Sequence, residues 1–156
     1  MLKRLGVRVW RWLPGWTRGA LTWCLNAHFI VGAVAIIENG EGGVLLARHT
    51  YRRDAPWALP GGWVQRGEDP SNTIVREILE ETGLTVEVLA PLAVQRESPR
   101  HLTIVYSARL AGGTFRASVE VSAVRFAPPG AWPVDLRDDH RALIEQFVHH
   151  RGVGRP

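Results

Sequence analysis

The chain has 156 residues, of which 46% are apolar and 22% charged, a balance that suits one globular domain and excludes wholesale disorder. A single cysteine, Cys24, leaves no disulfide possible within the chain. Lys3, Arg4, Arg8, Arg11 and Arg18 fall within residues 1–28 without one acid, while the remainder holds fourteen basic and fifteen acidic residues, so any pull on nucleic acid or an anionic membrane belongs to that segment.

Residues 1–28 also hold Trp10, Trp12, Trp16 and Trp23 and stand apart as a basic, Trp-rich extension. The apolar stretch from Ala20 to Ile37 contains Thr22, Asn26 and His28 and ends in no small-residue cleavage site, so it reads neither as a leader nor as a membrane span. It divides into a short helix near Trp16–Asn26 and a strand at Phe29–Ile37. The tryptophans are expected to cover the domain or a second copy in a homodimer. A membrane interface or a nucleic acid is the alternative contact for interleaved Trp and Arg. Cys24 is expected to serve as a small buried or half-buried hydrophobe rather than a reactive thiol. Secretion is not indicated, and a cytoplasmic location is expected.

FIVGAVAII, the turn cluster ENGEGG and VLLAR then predict a hairpin over residues 29–48, followed by a loop over 49–61. A helix follows, with Asp69 as cap, Pro70 in its first turn and Gly83 at its stop. Ile74, Val75, Ile78, Leu79 and Thr82 share a sector and predict the buried face, with Glu77, Glu80 and Glu81 projecting away from it. Strands are predicted at 84–97, 102–110 and 119–126. A last helix is marked by His140, Leu143, Ile144, Phe147 and Val148, with Asp138 or Asp139 as its cap and residues 151–156 as a frayed tail.

Three carboxylates at helical spacing repel one another, at about 0.2–0.5 kcal/mol per pair. A divalent cation among them removes that cost, and hard oxygen ligands favour Mg²⁺, Mn²⁺ or Ca²⁺. A solvated acidic face is the competing explanation. The glycine-rich LPGGWVQRGE immediately before the helix brings backbone groups beside the acids.

Gly62–Leu84 resembles the Nudix box at all nine specified positions: Gly62, Glu68, Arg76, Glu77, Ile78, Glu80, Glu81, Gly83 and Leu84. The likeness extends over roughly Phe29–Val148, with residues 29–150 as the domain. The resemblance implies an α/β fold, an α/β/α sandwich around a mixed sheet with a loop–helix–loop catalytic motif. It implies hydrolysis of a nucleoside diphosphate linked to another moiety, with Mg²⁺ or Mn²⁺ as cofactor and a small nucleotide as partner. By position, Glu77, Glu80, Glu81 and the Gly61 carbonyl would hold metal and a glutamate would activate water. Arg76 would orient Glu77, and Glu68 would brace the loop. Glu120, six residues before Phe126, matches a further metal-binding or basic glutamate that family members often have, and would then be catalytic; a solvent-facing strand residue is the alternative. A non-catalytic nucleotide sensor would be expected to have eroded box glutamates, and none is eroded here.

Substrate is read outside the box. Arg48, Arg52 and Arg53 are candidate phosphate ligands, and Trp57, Trp63, Tyr51 and Tyr106 are candidates for stacking on a base or for packing. His101 is a candidate donor to phosphate. Pro99, fifteen residues past Leu84, resembles a proline of ADP-ribose-cleaving members, whereas the longer coenzyme A signature is missing upstream of the box.

Overall fold

A computed structural model describes residues 10–152. The elements are α1 (Gly15–Leu25), β1 (Ile30–Glu38), β2 (Val44–His49), β3 (Trp57–Ala58), β4 (Gly61–Trp63), α2 (Pro70–Thr82), β5 (Leu84–Ser98), β6 (His101–Gly113), β7 (Val121–Ala127) and α3 (Asp138–Gly152). The strands form one mixed sheet along the path β3-β2-β1-β6-β5, with β4 added on β1 and β7 on β2. The β1–β6 pair is parallel, and the others are antiparallel.

The 29–48 hairpin forms only at its turn, where Glu38 pairs with Val44. Asn39 Oδ1 accepts from the amides of Glu41 and Gly43 and holds that turn closed. Beyond it the two strands part. β4 takes the freed edge of β1, while β3 and β7 pair with β2. The segment 49–61, expected as loop, therefore contains β3 and the start of β4. Its Gly/Pro-rich composition hides two strands too short to show a period.

Alternation along β1 explains its continuous apolar run, since both faces of the sheet are covered. Ala33, Ala35 and Ile37 face α2 with Leu45, Ile74, Ile78 and Leu84. Ile36 faces the other way, into a cluster with Val44, Leu46, Leu59, Val105, Leu143 and Ile144 under α3. Ile78 is fully buried beneath the box helix. Ile78→Ala is expected to lower unfolding stability by about 2–5 kcal/mol, measurable by urea titration.

Asp69 caps α2 by accepting from the Ser71 amide at 2.9 Å, and Gly83 stops it at φ 71°, as expected. The buried arc of α2 differs from the expected one. Val75 and Leu79 are 39% and 49% exposed, whereas Thr73 and Glu81 are buried. Thr73 is tolerated inside because its hydroxyl donates to Glu68, and Thr82 because its hydroxyl donates to the Ile78 carbonyl. Glu81 has no such relief.

The predicted N-terminal helix is present as α1, but it buries none of its residues, so its tryptophans do not cover the domain. Cys24 is exposed rather than half-buried, for the same reason. At the other end α3 runs through Gly152, which takes residues 151–152 out of the expected tail. Residues 1–9 of the extension and 153–156 of the tail lie outside the described residues. Among the described residues no helix is long and apolar enough to cross a membrane.

Candidate active site

The glycine-rich loop and α2 are tied together by Arg76. Its Nε donates to Glu68 Oε1 at 2.8 Å and its Nη2 to Oε2 at 3.0 Å, a bidentate pair. Glu68 Oε2 also accepts from the Gln65 amide and the Thr73 hydroxyl. These bonds, with Arg76 first, pull the Glu68 carboxyl down to about 2. The remaining Arg76 nitrogen, Nη1, reaches Glu77 at 2.8 Å and Glu80 at 3.2 Å, and Nη2 also donates to the Trp63 carbonyl. Arg76 thus bonds Glu68, Glu77 and Glu80, and Glu68 bonds the loop at Gln65.

Glu81 stands apart. It is 7% exposed, and its Oε2 is buried with no hydrogen-bond partner. Burial, then the charges of Glu77, Glu120 and Glu80, push its carboxyl up to about 7. The charge of Glu120 acts on Glu81, and its own side chain is exposed just before β7. Of the three box carboxylates expected to project outward, only Glu80 is well exposed, Glu77 is half-buried against Gly62, and Glu81 is buried.

Gly61 and Gly62 close the site from the sheet side. Gly61 has φ 148°, and a Cβ there would overlap the Ala33 carbonyl on β1. A Cβ on Gly62 would overlap the Glu77 carboxylate itself. The backbone therefore lies directly on the acid, an approach that only glycine permits.

A cavity of about 330 Å³ opens from these glycines. Of the residues expected to bind substrate, Arg52, Trp63 and His101 line it, whereas Arg48 and Arg53 do not. Trp63 and His101 stack, with ring centroids 4.3 Å apart and planes 14° from parallel. Arg48 instead donates to Ser122 on β7, and Arg53 is exposed. Trp57 packs against the core cluster under α3 beside Arg125, which makes it a packing residue.

Sequence reading missed His49, Glu97, Thr103, Arg137 and His140 in this cavity. His140 was visible only as a member of a helical stripe, and nothing local to His49 marks it. Both are buried. His140 Nδ1 accepts from the Leu59 amide at 2.8 Å, so its proton sits on Nε2, while both nitrogens of His49 are buried without a partner. Burial first, then nearby arginines, lowers His49 to about 4 and His140 to about 3. Each stays neutral in the fold, yet an unfolded histidine charges below about 6.5. The unfolded chain therefore binds more protons in that window, and the stability these neutral imidazoles carry is lost as pH falls from about 6.5 towards those lower values. His140→Asn is expected to flatten the melting temperature against pH over this range.

Among the described residues, the one group of three acid or histidine ligand atoms within 4.8 Å of one another belongs to Glu97, Asp139 and His140, not to the box. Each member of that group already has a donor from outside it: Arg137 Nε donates to Asp139 Oδ1 at 2.9 Å, the Thr103 hydroxyl to Glu97, and the Leu59 amide to His140. The box carboxylates are spread because Arg76 holds Glu77 and Glu80 while Glu81 is buried.

A family model described as the NUDIX domain matches residues 28–147. The chain belongs to the Nudix family. Its relatives include an ADP-ribose pyrophosphatase of Methanocaldococcus jannaschii, 31% identical over 80% of this chain and 76% of that protein. They also include a human 8-oxo-dGDP phosphatase, 32% identical over 83% of this chain and 42% of that protein. In fold the chain is similar to a NUDIX hydrolase from Nitrosomonas europaea, with a TM-score of 0.73, 23% identity and coverage of 84% and 76% of the two chains. The protein is thus a Nudix hydrolase that acts on diphosphate bonds, and its mixed sheet between helices is the fold of that family.

Proposed function

We propose that this Nudix hydrolase is a Mg²⁺- or Mn²⁺-dependent pyrophosphohydrolase for a nucleoside diphosphate linked to a second moiety. One observation carries the reading: a buried glutamate, Glu81, has a partnerless oxygen and feels the charges of Glu77, Glu120 and Glu80, with Glu77 lying directly against Gly62. An orphaned carboxylate oxygen among other carboxylates suits a hard cation. Glu77, Glu80, Glu81 and the Gly61 carbonyl would hold it. When bound, the cation offsets the charge of the acids and of the pyrophosphate and acidifies a water.

The chain's own residues do the rest. Arg76 fixes Glu77, Glu68 fixes Arg76, and Glu81 accepts the proton that the attacking water gives up. A bond forms between the water oxygen and phosphorus, and the bridging P–O bond breaks to leave a nucleoside monophosphate and a second phosphate-bearing product. The adjoining cavity takes the nucleoside half. Trp63 and His101 offer an aromatic surface beside the box, and Arg52 and Arg137 put positive charge at the cavity wall.

The test is a panel of ADP-ribose, dinucleoside polyphosphates, nucleotide-sugars, CDP-alcohols, oxidised dNTPs and capped RNA, each with Mg²⁺ and with Mn²⁺. Nucleoside monophosphate is expected from at least one class, and excess chelator is expected to stop its release. Turnover that persists in chelator contradicts the reading. For the active substrate, Trp63→Ala is expected to raise KM about 5- to 150-fold, since stacking on one base is worth about 1–3 kcal/mol. An unchanged KM removes the stacking role.

A further inference from the structure

We propose that residues 10–30 are an interfacial anchor that seats this enzyme on anionic lipid bilayers. The inference is independent of the reaction, because it rests on a part of the chain that the active site does not use.

α1 packs none of its side chains into the domain. Trp12, Trp16 and Trp23 are 90%, 76% and 68% exposed, and Trp10, Leu21, Leu25, Phe29 and Ile30 are exposed with them. Soluble surfaces scatter single apolar residues, whereas a continuous group of large ones marks a contact surface. On the helix, Trp16, Ala20 and Trp23 recur at four- and three-residue spacing and share one face. Leu21 and Leu25 lie on the other side with Arg18 and Thr22, so large apolar side chains stand all round the helix, and the Thr22 hydroxyl donates to the Arg18 carbonyl. Trp23 also lies against His28, ring centroids 3.8 Å apart, so the aromatic surface continues past the helix end.

Composition and charge select the occupant. Tryptophan has an apolar body and a polar N–H, which suits the boundary between headgroups and acyl chains. Arg11 and Arg18 stand in the described part, Lys3, Arg4 and Arg8 precede it in sequence, and no acid occurs before Glu38. A segment carrying only positive charge fits an anionic surface and repels a second copy of itself. A nucleic acid would meet the arginines but would leave Leu21, Leu25, Phe29 and Ile30 in water, so lipid is the better match. Eleven residues of helix span only about 16 Å, against about 30 Å of hydrocarbon, so α1 lies on the bilayer and does not cross it.

The experiment is co-sedimentation of the full chain with vesicles of phosphatidylcholine alone and of phosphatidylcholine mixed with phosphatidylglycerol, with tryptophan emission followed in parallel. Binding to the mixed vesicles with a blue-shifted emission is expected, and it should weaken near 1 M salt, where the screening length is about 3 Å. The double variant Trp16→Ala/Trp23→Ala is expected to bind at least about tenfold more weakly, since two large apolar side chains no longer enter lipid. Arg11→Glu/Arg18→Glu should remove the preference for anionic vesicles. Both variants should keep far-UV circular dichroism and hydrolytic rate in vesicle-free solution, because neither touches the domain. Equal binding to the two vesicle types, tighter binding to an oligonucleotide, or a vesicle-independent dimer with already buried tryptophans would each overturn the proposal.

Discussion

Glu81→Gln is expected to lower metal-dependent turnover by about 10²–10⁴-fold, the usual range for removing a catalytic proton acceptor. The same change is expected to stabilise the protein in chelator at alkaline pH. The sign follows from linkage. Folding raises the Glu81 carboxyl to about 7, so between the ordinary carboxylate range and neutrality the native state holds a proton that the unfolded chain has released. Stability therefore falls as pH rises through that window. Above it, the metal-free wild type carries a buried, partnerless charge. Glutamine keeps the shape and drops the charge, so its melting temperature should exceed wild type at pH well above 7 and converge with it in mild acid. A variant that is slower and also less stable at alkaline pH would mean that Glu81 is held by contacts the structure does not contain.

The paired glycines separate positioning from folding. Gly61→Ala places a methyl group against the main chain of β1 at a φ that side chains rarely adopt. Backbone cannot yield as a side chain can, so a loss of about 3 kcal/mol or more is expected, with little folded protein at growth temperature. Gly62→Ala meets only the end of the Glu77 side chain. It should fold with near-normal melting, yet lose about 10²-fold in turnover as Glu77 is pushed from its Arg76 bond. Thermal melting beside kinetics for the two variants checks this. Equal loss of folding in both would show that the Glu77 contact is a packing contact only.

Much of this was legible in the residues themselves. The caps Asp69 and Gly83 and the box spacing follow from local sequence, because a helix imposes its period on neighbours in the chain, whereas the Arg76 bond to Glu77 is implied only by the family resemblance. The burial of Glu81 does not. An apolar count put Val75 and Leu79 inside, but α2 rests on the sheet along an arc that includes Thr73 and Glu81 instead. Which side of a helix is covered is settled by the sheet beneath it, and exposed leucines are ordinary. The cavity was legible only in part for a related reason. Trp63 and His101 are 38 positions apart in sequence and meet because β4 and β6 both pair with β1. His49 and His140 come from a strand end and a helix start, with no local pattern to link them.

In the proposed function Glu81 is a metal-site carboxylate whose burial a cation would relieve. Calorimetric titration of Mn²⁺ near pH 7, repeated in buffers of different ionisation enthalpy, measures the protons released on binding. Wild type is expected to release a fraction of a proton per bound ion, because its Glu81 carboxyl titrates near about 7, and that release should fade at higher pH. Glu81→Gln should bind more weakly and without it. Unchanged affinity and unchanged proton release in Glu81→Gln would contradict a metal-holding role for Glu81.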